Sequence, residues 1–179
     1  MGDMGARLRD VEGWFTTEEA VFLEELARGQ VCLEIGCYKG RSTLAMALVA
    51  EKVLCVDHFH PAYMGQGYDA EAESILPEFM ANLAEWLQKI EVHEARSEDL
   101  IDHDWPELGL LFLDGGHDEE LIKDVAFYHH LKVGGYIAFH DCQWHTVSAV
   151  IEHVLLPLGI WEKREEVSRE TFCVFRRVA

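Results

Sequence analysis

Two acidic residues and a pair of glycines have the spacing of a site for a small cofactor. Glu34, Gly36, Gly40 and Ser42 follow the pattern E-x-G-x-x-x-G-x-S at the end of an apolar run. Asp57 ends the next apolar run, 21 residues after Gly36. An acid at that distance, at the end of the second strand of a doubly wound sheet, typically hydrogen-bonds the hydroxyls of a ribose. The pattern therefore predicts a nucleoside-containing cofactor whose ribose lies on Asp57.

The carboxylate beside the glycine turn argues against a cofactor that binds there through a phosphate. The sequence contains neither the dinucleotide fingerprint G-x-G-x-x-G nor the phosphate-binding loop G-x-x-x-x-G-K-[ST]. Glu34 would repel a phosphate and attract an ammonium group. S-adenosylmethionine carries an ammonium, a sulfonium and a carboxylate but no phosphate. Its carboxylate would face the free N–H groups of the following helix, which Ser42 or Thr43 is expected to cap. We therefore predict S-adenosylmethionine as the cofactor.

Most other residues able to do chemistry follow the ends of further apolar runs. They are His58 and His60 after the second run, Ser97 after the third, Asp114 and His117 after the fourth, and His140 and Asp141 after the fifth. Because the carboxyl ends of parallel strands meet at one edge of a sheet, we expect these side chains to surround one ligand site. A histidine whose pKa lies near neutrality can act as a general base, and His140 is the first candidate and His117 the second.

Together these motifs resemble those of class I S-adenosylmethionine-dependent methyltransferases, in particular the small-molecule O-methyltransferases. The residues that carry the resemblance are Glu34-Ile-Gly36-x-Tyr38-x-Gly40-x-Ser42, Asp57, Leu113-Asp114-Gly115-Gly116-His117, Val133-Gly134-Gly135-Tyr136 and Phe139-His140-Asp141. The resemblance runs from about Val31 to Val178. The cofactor contacts expected from it are Glu34, Gly36, Cys37, Tyr38, Gly40, Ser42, Asp57, His58, Ser97 and Asp114. The implied reaction is methyl transfer to an oxygen of a small-molecule acceptor.

The resemblance leaves two mechanisms open. In the resembled enzymes, acids after the fourth and fifth strands commonly bind a divalent cation that holds the acceptor oxygens. Asp114 and Asp141 occupy those places, and His140 would be the third ligand of Mg²⁺ or Mn²⁺. Histidine ligands suit a transition metal better than Mg²⁺, and many metal-dependent relatives carry a second acid where this chain has His140. The alternative is metal-free transfer with His140 or His117 as the base.

The elements that position these residues alternate between strand and helix patterns, as in an α/β fold. We predict one doubly wound, Rossmann-like, mostly parallel sheet of seven strands with a C-terminal antiparallel hairpin. An N-terminal helical cap is predicted over residues 1–30, where Thr16 and Glu19 form a capping box, and the cofactor-binding domain over residues 31–179. Helices are predicted at Ser74–Leu87, Glu119–Leu131 and His145–Leu156, and the fifth strand at Tyr136–Phe139.

Composition argues against several classes of partner. The formal net charge is −18, so the phosphate backbone of a nucleic acid would be repelled. No apolar stretch approaches the roughly 18 residues of a membrane-spanning helix, and the N-terminus lacks an export signal. We therefore expect a cytoplasmic enzyme that acts on a small molecule and binds neither nucleic acid nor membrane. Homo-oligomer formation is left open.

A long connection follows the second strand, over His58–Ala70, and is rich in aromatic residues, glycine and histidine. Long loops in compact domains often act as lids. The residues expected to form an apolar wall over the acceptor are Phe59, Tyr63, Met64, Tyr68 and Trp144. The sequence does not identify the acceptor. A second interpretation is a non-catalytic module that binds S-adenosylmethionine or another adenosine ligand such as a dinucleotide.

Overall fold

Strands and helices alternate along the chain. The computed structural model describes residue 8, residues 10–60 and residues 73–179. The strands are β1 (Val31–Ile35), β2 (Lys52–Asp57), β3 (Ile90–Glu94), β4 (Leu108–Leu113), β5 (Leu131–His140), β6 (Trp161–Lys163) and β7 (Phe172–Arg177). The α-helices are α1 (Thr17–Ala27), α2 (Arg41–Ala47), α3 (Leu76–Asn82), α4 (Glu120–Val125) and α5 (His145–Val150). Turns of 3₁₀-helix lie at Ala84–Lys89, Ser97–Leu100, Ala126–His130 and Leu156–Leu158, and a π-helical turn spans Ile151–Leu155. Within the described ranges, no helix has the length and apolar content to cross a membrane.

The strands form one sheet in the order β3-β2-β1-β4-β5-β7-β6. Strands β1 to β5 pair in parallel, whereas β7 lies antiparallel between β5 and β6. This confirms the predicted mostly parallel sheet of seven strands with a C-terminal antiparallel hairpin. The strand order reverses between β1 and β4, and in doubly wound sheets ligands bind at the carboxyl ends of the strands beside such a reversal.

Helices cover both faces of the sheet, and the strand at its centre, β4, is buried along its whole length. Its alternate residues belong to opposite cores. Leu110 shares one core with Leu23 of α1 and Met46 of α2. Leu111 shares the other with Val125 of α4. This two-sided burial explains why β4 is a continuous apolar run without alternation.

The fifth strand starts earlier than predicted. It begins at Leu131, the residue at which the preceding helix was expected to end, and includes Gly134 and Gly135. The pairing of β5 with β4 shifts register here, from Leu108 opposite Leu131 to Leu110 opposite Tyr136, and Gly134 has a φ of 87°. A glycine in this conformation inside a strand marks a bulge.

The predicted helices are also interrupted. The helix expected at Ser74–Leu87 is α3 followed by the 3₁₀ turn at Ala84–Lys89. Likewise α4 and α5 each continue into 3₁₀ or π turns rather than keeping α-helical geometry to their ends.

Candidate active site

The turn after β1 packs against the neighbouring strand ends because Gly36 carries no side chain. Gly36 has a φ of 88°, and a Cβ added there would collide with the backbone of Asp114 after β4. The N–H groups of Cys37 and Tyr38 donate to Oδ2 of Asp57 at 2.7 and 2.9 Å. The carboxyl ends of β1, β2 and β4 therefore meet at this turn.

Helix α2 begins differently from the prediction. Its N-cap is Gly40, with a φ of 91°, whereas Ser42 and Thr43 lie inside its first turn. Their hydroxyls donate to the two carboxyl oxygens of Glu34, and no described side chain accepts from the N–H groups at the start of the helix. The expectation that Ser42 or Thr43 caps the helix is wrong, because the buried carboxyl takes both hydroxyls.

Glu34 is fully buried beneath the turn. Burial raises the pKa of its carboxyl to about 8, although the Ser42 and Thr43 hydroxyls act in the opposite direction. The side chain thus ties the end of β1 to the first turn of α2. Its predicted contact with the ammonium of a cofactor stays a prediction.

A cavity of about 600 Å³ opens at the carboxyl ends of the central strands. The predicted site residues on its lining are Gly36, Cys37, Tyr38, Ser42, Asp57, Asp114, His117, His140 and Asp141. Two tryptophans that are more than half exposed also line it, Trp14 and Trp144. The Trp14 ring centroid lies 5.2 Å from that of Tyr38, and the Trp144 ring centroid lies 4.7 Å from that of His117. Trp144 was expected in this wall, whereas Trp14 gave no signal in the sequence.

A smaller cavity adjoins the larger one and shares Gly36, Asp57, Gly115, Gly116 and Glu120 with it. The predicted residues His58 and Ser97 line this second cavity, together with Asp124 of α4. Glu34 and Gly40 line neither cavity. The structure thus brings the other residues predicted for the cofactor, the metal and the base to two adjoining cavities.

His140 lies among three carboxylates. Its Nδ1 is 3.0 Å from Oδ1 of Asp114 and 3.5 Å from Oδ2 of Asp141, and its Nε2 is 3.5 Å from Oε1 of Glu19. The side chain is 6% exposed. Burial alone would lower the pKa of the imidazole, but the three carboxylates outweigh it and raise the pKa to about 12. A histidine in this setting holds its proton at neutral pH.

Glu19 also belongs to this cluster, although its sequence position predicted only a role in a capping box. Its Oε2 accepts the Thr16 N–H at 2.8 Å, as the capping box requires. Its Oε1 accepts the Thr171 hydroxyl and faces His140. Burial raises the pKa of this carboxyl, but its bonds with His140, Thr16 and Thr171 prevail and lower the pKa to about 2. Glu19 therefore connects α1 and the segment just before β7 to the site.

His117 contacts Asp141, which belongs to the same group of carboxylates around His140. Its Nε2 lies 3.0 Å from Oδ2 of Asp141, and its side chain is 26% exposed, on the lining of the larger cavity. His117 and then His140 hold the pKa of Asp141 well below its ordinary value. Asp141 therefore stays ionised and orients the His117 ring.

Three non-glycine residues of the described ranges have a positive φ: Tyr38 at 48°, Phe59 at 53° and Asp141 at 55°. Each follows the carboxyl end of a parallel strand. Such left-handed residues are strained and tend to occur at functional sites. Here they turn the chain where the two cavities open.

The three predicted metal ligands lie close enough together, and have suitable donor atoms, to bind one cation. One ligand atom each from Asp114, His140 and Asp141 lies within 4.8 Å of the other two. Two carboxylates and an imidazole suit Mn²⁺ or another transition metal better than Mg²⁺. Because His140 now lies between carboxylates with a raised pKa, it would release its proton on binding a cation.

The aromatic wall is only partly within the described residues. Tyr63, Met64 and Tyr68 lie outside them. Phe59 is fully buried, 5.0 Å between ring centroids from Phe79 of α3, and does not line the larger cavity. The expectation that Phe59 covers the acceptor is therefore wrong, because α3 draws this ring into the core.

Comparisons with known proteins agree with this architecture. A family model described as a methyltransferase domain matches residues 33–142. The O-methyltransferase NovP is 16% identical with a TM-score of 0.75, covering 93% of this chain and 84% of that one. An rRNA methylase from Streptococcus thermophilus is 16% identical with a TM-score of 0.65, over 93% and 98% of the two chains. The precorrin 8w decarboxylase from Methanobacterium thermoautotrophicum is 20% identical with a TM-score of 0.66, over 96% and 95%. At these identities the similar structures show the fold alone. The comparison with curated proteins finds no match.

Proposed function

Because the chain belongs to the methyltransferase domain family, we propose that it transfers the methyl group of S-adenosylmethionine to a hydroxyl oxygen of a small molecule. One observation carries this proposal: the glycine turn with Asp57 and the histidine–carboxylate cluster line the same cavity. A cofactor on the turn would therefore point its reactive end at groups able to move a proton.

The arrangement of the strand ends supports one position for the cofactor. Its methionine part would lie along the turn between Gly36 and Ser42, and its ribose on Asp57. The Asp57 carboxylate already accepts three backbone N–H groups, from Cys37, Tyr38 and Phe59. A carboxylate offers about four acceptor positions, so roughly one remains for a ribose hydroxyl.

His117 is the better placed of the two candidate bases. His140 is enclosed by carboxylates that keep it protonated, whereas His117 lines the cavity with Nε2 directed at Asp141. A proton on Nε2 leaves the lone pair on Nδ1 for the acceptor. Methyl transfer is an in-line displacement. Bound S-adenosylmethionine would supply the methyl group, whose bond to sulfur breaks as the acceptor oxygen bonds the methyl carbon. Nδ1 of His117 would take the proton of the acceptor O–H.

The protonated His140 would balance the charge of this site. Three carboxylates so close together repel one another, and an imidazolium between them offsets that repulsion. His140 thereby keeps Asp141 ionised and in position for His117. In this scheme His140 is a positioning residue, and the acceptor is not in contact with it.

The cavity lining favours a flat acceptor without a phosphate. Trp14 and Trp144 offer exposed aromatic faces, which bind rings by stacking. Carboxylates outnumber cations on the described part of the lining, and the Arg41 guanidinium donates to the carbonyls of Val11 and Phe15. An anionic acceptor would therefore be repelled. Phenols and catechols match this lining.

A divalent cation on Asp114, His140 and Asp141 is the second arrangement that the donor spacing supports. A bound cation would lower the pKa of an acceptor hydroxyl. The two arrangements respond differently to a chelator. Metal-dependent transfer should stop with chelator and return with added Mn²⁺ or Mg²⁺, whereas transfer that relies on His117 alone should continue.

The test is a binding titration followed by a transfer assay. We expect S-adenosylmethionine and S-adenosylhomocysteine to bind with micromolar affinity and NAD not to bind. Radiolabelled methyl transfer would then be measured with catechols and simple phenols against the corresponding phosphate esters and against RNA. Transfer only to the phosphate esters or to RNA would overturn the acceptor class. Binding without transfer to any acceptor would identify a non-catalytic binding module, and binding of NAD alone would refute the cofactor.

A further inference from the structure

Two cysteines lie side by side just beyond the end of β5. Phe139 of β5 pairs with Cys173 of β7, and both side chains pack into the same core. After β5 the chain turns at Asp141, which has a φ of 55°, and the Cys142 N–H donates to the Thr171 carbonyl at 3.2 Å. The Cys142 Sγ lies 3.4 Å from the Phe139 carbonyl oxygen. The Cys142 thiol is thus turned back toward Cys173, the strand partner of Phe139, and the two side chains hydrogen-bond one another.

The exposure of the cysteines separates the roles of this pair. Of the five cysteines, all of which the structure describes, Cys32, Cys37, Cys55 and Cys142 are buried and Cys173 is partly exposed. An oxidant in solution therefore reaches Cys173 first, while Cys142 is shielded but already in contact with it. The hydrogen bond from Cys142 also lowers the pKa of the Cys173 thiol, against the effect of burial. Cys173 is thus the sulfur placed to react first, and Cys142 the one placed to close a disulfide.

We propose that Cys142 and Cys173 form a redox switch, in which a peroxide joins the two sulfurs as a disulfide and thereby slows methyl transfer. In the first step the Cys173 thiolate bonds one oxygen of hydrogen peroxide, the O–O bond breaks, and hydroxide leaves and becomes water. In the second step the Cys142 sulfur gives up its proton and attacks the sulfur of the Cys173 sulfenic acid, which releases a second water. The two thiols lose two electrons and two protons in all, and the peroxide gains them.

The effect on transfer follows from the place of Asp141 in the chain. Asp141 directly precedes Cys142, and its Oδ2 is 3.0 Å from Nε2 of His117, the proposed base. A disulfide brings two sulfurs closer together than any contact between thiols, so Cys142 must move toward β7. Asp141 would move with it and no longer orient the His117 ring. This effect on the rate rests on the proposed function, whereas formation of the disulfide does not.

The experiment treats the full chain with hydrogen peroxide and maps its cysteines. Mass spectrometry of the digested chain should find Cys142 cross-linked to Cys173, with the loss of two hydrogen atoms. The reduced and oxidised chains are then compared in the methyl-transfer assay and in calorimetric titration with S-adenosylhomocysteine. We expect oxidation to slow transfer by about 10- to 100-fold, because small displacements of a catalytic group have effects of this size. Dithiothreitol should restore the rate, and the affinity for S-adenosylhomocysteine should not change.

Three variants separate the disulfide from other effects of peroxide. Cys173→Ala removes the sulfur that reacts first, and Cys142→Ala removes its partner. Each should form no cross-link, and its rate of transfer should be the same before and after peroxide. Cys32→Ala is the matched control, because Cys32 is buried in β1 with its Sγ near the Ala27 and Gln30 carbonyls. Peroxide should slow this variant as it slows the wild-type chain.

The wild-type chain alone can overturn the proposal. Recovery of both cysteines as free thiols, or oxidation of Cys173 to a sulfinic acid without a cross-link to Cys142, would show that the two sulfurs do not join. A cross-linked chain that transfers methyl groups at the rate of the reduced chain would refute the switch. If the reduced chain transfers to no acceptor, the proposed function fails and the switch with it, whereas the cross-link still decides whether the cysteines form a disulfide.

Discussion

Glu34→Gln should make the chain more stable than the wild type as the pH rises. In the folded chain burial raises the pKa of Glu34 to about 8 from an ordinary value of 4.5. Between these values the folded state holds a proton that the unfolded state has released. The free energy of unfolding therefore falls as pH increases, and the stability that the proton supplies is lost as the pH passes the folded pKa. Glutamine has nearly the same shape, can still accept from Ser42 or Thr43, and does not titrate.

The size of the effect follows from the window between the two pKa values. A group that is protonated only in the folded state changes the free energy of unfolding by about 1.4 kcal/mol for each pH unit. From about pH 5.5 to about pH 7.5, the difference between Glu34→Gln and wild type should therefore move by roughly 3 kcal/mol in favour of the variant. Near the lower end of this range the two chains should be similar in stability, because Glu34 is then neutral in the folded chain.

Urea denaturation at several pH values, followed by circular dichroism, measures this difference directly. Other titrating groups contribute equally to both chains and cancel. Glu162→Gln, which removes an exposed carboxylate from β6, is the control and should show no such trend. If the stability difference between Glu34→Gln and wild type is the same at every pH, the carboxyl is not protonated in the folded chain and the reasoning is refuted.

Three further substitutions test the site. Asp57→Ala should weaken S-adenosylhomocysteine binding by about 10- to 100-fold in a calorimetric titration, because both the ribose contact and the amide anchors of the turn are lost; unchanged affinity would remove the ribose assignment. His117→Ala should slow methyl transfer by about 10² to 10⁴ with cofactor affinity unchanged, whereas the exposed control His145→Ala should transfer at the wild-type rate. Full activity of His117→Ala would exclude it as the base. Glu19→Gln should lower the free energy of unfolding by about 1 to 3 kcal/mol in urea denaturation, since a buried imidazolium loses one of its carboxylates. The exposed neighbour Glu18 gives the matched variant Glu18→Gln, and equal effects of the two would show that the buried contact carries no stability.

The sheet and most of the cavity lining could be predicted because their signals are local. A short apolar stretch that ends in an acid predicts both a buried strand and the position of the acid at its end. Parallel strands then bring their carboxyl ends together at one edge of the sheet. Gly36, Asp57 and Asp114 were found in this way. The beginning of α2 could not be predicted by the same logic. Ser42 and Thr43 were assigned to helix capping by their residue type, and nothing nearby in the sequence shows that Glu34 beneath them would take their hydroxyls.

Glu19 and Asp124 show where prediction from local patterns ends. The capping box correctly placed Glu19 at the start of α1, and its other contacts, with His140 and Thr171, join residues more than 120 positions apart. Asp124 has the appearance of one more acid on a polar helix until the structure shows that its face of α4 is buried. In both cases the residue type is ordinary for its place in the sequence. Each of them is a carboxylate removed from water. Glu19 lies beside His140, whereas one oxygen of Asp124 accepts no hydrogen bond from a described residue. That difference leaves Glu19 paired within the site and one oxygen of Asp124 without a hydrogen-bond donor among the described residues.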